Sequence, residues 1–151
     1  MNIKRNAVIA AVLCLFSELI YIGIMIFNLS NGLNYWRNSN DGFISDGLLL
    51  IIIMSVFSIA ASVYVLLGAI NTRKLLRALI MEIFYLVVLI LSFDMIAQAS
   101  GILYIHLYGG DVVPTSMGLF LPEMIFLPCI ISLIFESRAY LMMRKQTREN
   151  Q

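Results

Sequence analysis

Charge is what this 151-residue sequence has least of. Asp, Glu, Lys and Arg together make up 13% of it, about half the share found in soluble domains. So thin a polar coat could not keep a 61% apolar chain dispersed in water, which excludes a soluble enzyme, a nucleic-acid-binding domain and a disordered tail. Histidine occurs once, at His106, so no histidine-based metal site and no Ser-His-Asp arrangement can be assembled. The two cysteines, Cys14 and Cys129, stand inside apolar runs rather than in the polar connections. That leaves no disulfide framework and no paired thiols for a quinone-linked oxidoreductase. The net charge of +1 favours neither sign, and the information lies in where the charges fall.

What the chain has in abundance is long apolar stretches, reflected in a mean hydropathy of +0.92. Four can be read, at about 7–29, 48–70, 78–105 and 118–135, each close to the ~20 residues that cross ~30 Å of hydrocarbon as a helix. The run Leu48-Leu49-Leu50-Ile51-Ile52-Ile53 does not alternate as a barrel strand must, and helices satisfy their own backbone groups in lipid. The expected fold is therefore all-α: one membrane domain over 1–151, a four-helix bundle. The first stretch is too long for a signal-peptide core and reads as a retained anchor. The connections are short. Residues 30–47 are rich in Asn, Ser, Gly and Asp, residues 71–77 form a tight basic turn, and residues 106–117 hold Gly109, Gly110, Asp111 and Pro114. Lys4, Arg5, Arg73, Lys74, Arg77, Arg138, Arg144, Lys145 and Arg148 all fall on one side of this four-span arrangement, with Arg37 on the other. The positive-inside rule then places both termini in the cytoplasm.

Four acids interrupt the apolar stretches: Glu18, Glu82, Asp94 and Glu123. A charge at the bilayer centre costs from ~2.5 to more than 10 kcal/mol, so such groups face the bundle interior, a partner or a transport path. Asp94 and Gln98 share a helix face at i, i+4, and Asp94, nearest mid-span with no counter-ion beside it, is expected to matter most. Three uses are open for Glu18, Asp94, Gln98 and Glu123: interhelical hydrogen bonds, docking of a basic residue from another membrane protein, or proton or cation relay. Glu82 lies close enough to Lys74 and Arg77 for them to reach back and pair with it. In the second stretch Ser55, Ser58, Ser62 and Ala69 form a face of small residues suited to close helix packing. Pro122 and Pro128 permit a kink in the fourth. The tail carries Tyr140-Leu141-Met142-Met143, a tyrosine-x-x-hydrophobic pattern that endocytic adaptors bind as an extended strand. The competing expectation is that the fourth helix runs on as an amphipathic segment, with Arg138, Arg144, Lys145 and Arg148 touching anionic lipid.

Four spans, short loops, acids in the spans and a basic tail with Tyr140 and Met143 resemble, over the whole chain, the lysosome-associated four-span proteins and their small insect relatives. The proline-tyrosine tail motifs of that family are absent from this sequence. The resemblance implies a non-enzymatic, cofactor-free and metal-free protein of endosomal, lysosomal or plasma membranes. Such a protein binds the lipid bilayer and other membrane proteins, or further copies of itself, but no nucleic acid, and influences sorting or assembly. The alternative expectation, from the intramembrane acids, is a small proton- or cation-coupled transporter.

Overall fold

The structure, a computed structural model, describes residues 2–39, 44–109 and 120–149. The described residues contain helices and no strand: α1 (Ile3–Ser39), α2 (Ile44–Ile70), one turn of 3-10 helix (Thr72–Lys74), α3 (Leu75–Leu91), α4 (Phe93–Tyr108) and α5 (Phe120–Glu149). The fold is all-α. Among the described residues, three segments are long and apolar enough to cross a membrane: Ile3–Phe27, Ile52–Ile70 and Phe120–Glu149.

The helices meet along stripes that recur every three and four residues. On α1 the buried positions are Asn6, Ala7, Ala10, Ala11, Cys14, Ser17, Glu18, Tyr21, Ile24 and Met25; on α2 they are Met54, Ser58, Ala61, Ser62, Val65, Gly68 and Ala69. α3 and α4 contribute Leu75, Ala78, Glu82, Tyr85, Leu89, Ser92, Ile96 and Ala99, and α5 contributes Pro122, Ile125, Cys129, Ser132, Glu136 and Ala139. This is the seven-residue repeat of helices that cross at shallow angles. What marks it here is small and polar residues, since large apolar side chains cover the outside as well: Val12, Leu19, Ile52, Val56, Phe84 and Leu127 are all exposed. In lipid the apolar surface has no reason to hide, and close backbone approach does the packing. The face of α2 expected to be packed is inside, with Ser58, Ser62 and Ala69 buried and Ser55 half-buried. α1 lies between α2 and α5, and α3 closes the ring between those two helices, across from α1.

α2 and α3 cross closely at Gly68. A Cβ there would stand 2.7 Å from the Cβ of Ala78, so only glycine lets α2 and α3 meet this closely. The α2–α3 turn follows, with Asn71 accepting a hydrogen bond from the Arg73 backbone N–H. Asn6 touches Met142, so the start of α1, the end of α5 and this turn occupy one end of the bundle.

Three boundaries differ from expectation. The connection expected at 30–47 is helical as far as Ser39. None of the three prolines falls there, and Asn, Ser and Gly cost a helix no more than ~1 kcal/mol each. The third stretch is two helices, interrupted at Ser92 (φ −92°, ψ 3°), whose hydroxyl donates to the Val88 carbonyl alongside its own N–H, a back-bonding that bends helices. The buried stripe nonetheless keeps its phase through the break, from Leu89 through Ser92 to Ile96. The fourth stretch does not stop at 135 but runs unbroken to Glu149. It accommodates Pro122 in its first turn, where no N–H is required, and Pro128 in its interior at the loss of one backbone bond. A helix ends properly at Gly109, whose left-handed backbone (φ 66°) returns its N–H to Ile105. Gly110, Asp111 and Pro114 lie outside the described residues.

Candidate functional site: a polar row inside the bundle

Because the contact stripes carry polar residues, the bundle holds a row of polar groups along its length. At the end far from the termini, Tyr21 on α1 shares a hydrogen bond with Ser92 at the α3–α4 break (2.9 Å). One turn nearer the termini, Ser17 donates to the carbonyl of Ile125 (2.9 Å) and takes the hydroxyl of Tyr85 (3.0 Å), which links α1, α3 and α5. The rings of Tyr21 and Tyr85 pack edge to face, 6.1 Å apart. Beside them Ser58 on α2 donates to Glu18 Oε1 (2.6 Å). Cys14 and Cys129 come next, both fully buried and unpaired. Then Ser132 on α5 bonds the carbonyl of Ala10 (2.8 Å) and the carboxyl of Glu82. Last is Glu136, against Gly68.

Three acids thus lie inside: Glu18 at 3% exposure, Glu82 and Glu136 at 0%. Glu18 Oε2, Glu82 Oε2 and both oxygens of Glu136 are buried with no hydrogen-bond partner. An unmet buried acceptor costs ~1–3 kcal/mol, and more if charged. Among the described residues the one ion pair is Lys145 with Glu149 (3.9 Å), at the exposed end of α5. The expected pairing of Glu82 with Lys74 or Arg77 is therefore corrected. Arg77 is exposed, and Glu82, at a stripe position on α3, turns inward to Ser132 instead.

The other expected acids sit differently. Asp94, in the first turn of α4, and Glu123, in the first turn of α5, are both exposed. Neither joins Glu18 in the interior, which corrects the expectation of an interhelical hydrogen bond at Asp94. The reason is phase: Asp94 follows the buried Ser92 by two residues, about 200° round the helix. Phe93 and Phe126, edge to face at 6.0 Å, join α4 to α5 between them. The side chain of Gln98 lies outside the described residues. Tyr140 and Met143 are half-buried and packed on the core within α5, so an adaptor could take them as an extended strand only after the last turns of α5 unwound. Arg138, Arg144, Lys145 and Arg148 are exposed on the same helix, the amphipathic arrangement.

The sequence reading missed Glu136, Ser132 and the inward turn of Glu82. Its signal was present in the spacing Cys129, Ser132, Glu136, Ala139, which repeats on α5 the small-and-polar face recognised on α2. Among the described residues, no three of His, Cys, Asp and Glu gather around a point where a metal ion could sit. The chain matches no protein-family model, no curated protein and no solved structure.

Proposed function

We propose that this chain is a four-span membrane protein with cytoplasmic termini that acts without catalysis, by binding other membrane proteins and influencing their sorting or assembly. In this reading α3 and α4 together make the third crossing, since the 17 residues of α3 rise only about 25 Å, short of the bilayer core. The observation that carries the reading is the exposure of Asp94 and Glu123 on the outside of the bundle. An acid facing lipid costs ~2.5–3.5 kcal/mol on insertion scales, and a basic or hydrogen-bonding side chain from a neighbouring helix offsets that. The basic residues of the bundle's terminal end fit a cytoplasmic membrane surface, and the endosomal, lysosomal or plasma-membrane setting follows from the four-span resemblance alone.

The test is affinity purification from mild detergent followed by mass spectrometry, for wild type, Asp94→Asn and Glu123→Gln. A membrane protein with a basic residue in a span should be recovered with wild type and lost with either variant. Recovery unchanged in both would remove the outward acids from the account. Tags at both ends should be inaccessible on unpermeabilised cells, and labelling of either from outside would overturn the topology.

A second reading, a small proton- or cation-coupled transporter, draws on a separate observation: the three unpaired acids inside the bundle.

A further inference from the structure

The terminal half of the polar row is short of donors. Ser132 bonds the Ala10 carbonyl and Glu82. α1 and α5 run antiparallel here, so one turn toward the termini from Ala10 is Asn6, and one turn from Ser132 in the same direction is Glu136. Asn6 and Glu136 therefore sit at one level on facing stripes, both fully buried. The amide nitrogen of Asn6 is directed to the sulfur of Met142 (3.7 Å). That leaves Asn6 Oδ1, Glu82 Oε2 and both oxygens of Glu136 buried without a partner. Each is an acceptor, and among the described residues the one buried hydroxyl also without a partner is that of Ser62 on α2, on the far side of the Ser132 level from Glu136. α2 adds no side chain: Gly68 is there, and a Cβ on it would stand 3.2 Å from Glu136 Oε1. Beyond Asn6 a cleft of about 330 Å³ opens at the bundle end, lined by Asn2, Ile3, Met142, Lys145, Gln146 and Glu149, and Met142 in its wall is the residue that Asn6 touches.

We propose that Asn6, Glu82, Ser132 and Glu136 form a binding site for a sodium-sized monovalent cation, entered from the cleft past Met142. All-oxygen donors suit a hard cation. Two carboxyls holding one cation and one proton come out neutral, which is what a buried site requires. Calcium takes six to eight oxygens, whereas only four of these side-chain oxygens are without a partner. The site stands apart from partner binding through Asp94 and Glu123, and it is a site that a cation-coupled transporter would use.

The experiment is thermal unfolding of the purified chain in lipid nanodiscs, titrated with sodium, potassium, calcium or choline chloride at constant ionic strength and pH. Equilibrium dialysis with radiolabelled sodium runs alongside. Sodium should raise the unfolding midpoint, by about 3–6 °C at ten times its dissociation constant, and one ion should bind per chain. Glu136→Gln and Glu82→Gln should abolish the rise, while Glu123→Gln, outside the site, should keep it. Because the wild-type titration and the dialysis need no variant to fold, they decide alone. No sodium binding, or the same rise with choline, would overturn the site, and a rise with calcium only would overturn the monovalent assignment.

Discussion

Glu82 and Glu136 are wholly withdrawn from the surface, whereas Asp94 and Glu123 stand exposed on α4 and α5. All four are acids set among apolar residues, and hydropathy treats them alike. What separates them is phase against a seven-residue stripe of Ala, Ser, Cys and Gly. An acid in step with that stripe is carried inward between helices, and one out of step is left facing outward. In a water-soluble bundle the inward acid would be the anomaly and the outward one ordinary solvated surface. In a bilayer both are costly, so both need a partner. Glu82 finds one in Ser132, as Glu18 does in Ser58, and in the function proposed above the outward acids find theirs on a neighbouring membrane protein.

The sharpest way to break this comparison is at the crossing that lets the inward acids meet. Gly68→Leu would drive a side chain into Ala78, 2.7 Å from the first added carbon, and toward Glu136. A loss of about 3 kcal/mol is expected, at the upper end of overpacking costs. Denaturant titration in mixed micelles measures it, and a change below 1 kcal/mol would mean that α2 and α3 do not approach here. Next in size is Ser58→Leu, which adds bulk at a buried position and removes the donor to Glu18. It should cost about 2 kcal/mol, while Ile52→Leu, on the exposed side of the same helix, should be close to neutral. Equal losses in the two would place the α2 stripe on the wrong side.

The sequence made most of this fold legible and part of the site. Helices and the inward face of α2 follow from hydropathy and from Ser55, Ser58, Ser62 and Ala69. The helix ends were less legible, because Asn, Ser and Gly each weaken a helix by too little to stop it alone. Asn and Ser past Phe27 lengthen α1 rather than stop it. Glu136 was hidden by a different habit, since ending a span at its first charge assigns that charge to the tail. Periodicity of small residues continues through Ser132, Glu136 and Ala139 where hydropathy falls away. The break at Ser92 had no signal at all in composition, as serines on α2 at Ser58 and Ser62 leave that helix whole.

A smaller effect is expected at Glu18. Its Oε1 accepts from Ser58, and Ser58 also lies 3.2 Å from the Ser55 carbonyl, so a donor abandoned by Glu18 has somewhere to turn. Glu18→Leu should therefore cost about 1 kcal/mol, in the range of polar contacts between membrane helices. Glu18→Gln, which keeps an acceptor, should cost less. If the leucine variant were the more stable of the two, the row at this level would be a relic of packing rather than a bond that holds α1 to α2.

The smallest change in stability is expected at Asp94, and there the smallness is informative. The side chain is exposed and stands out of phase with the stripe through Ser92 and Ile96, so replacing it removes no contact with α1 or α5. Asp94→Asn should leave the unfolding midpoint of the isolated chain where it was, and Asp94→Leu, which removes a polar group from an apolar surface, should leave it unchanged or raise it. An inward acid treated the same way loses stability, because its neighbours were arranged around it. The two outcomes part further once a partner is present. Asn keeps the shape and hydrogen-bonding capacity of Asp94 but not its charge, so a partner held by a basic side chain should dissociate from Asp94→Asn, and one held by hydrogen bonds should stay. Measuring stability in isolation and co-purification from cells on the same variant separates these cases. A marked loss of stability in the isolated Asp94→Asn chain would show that Asp94 belongs with the inward acids after all.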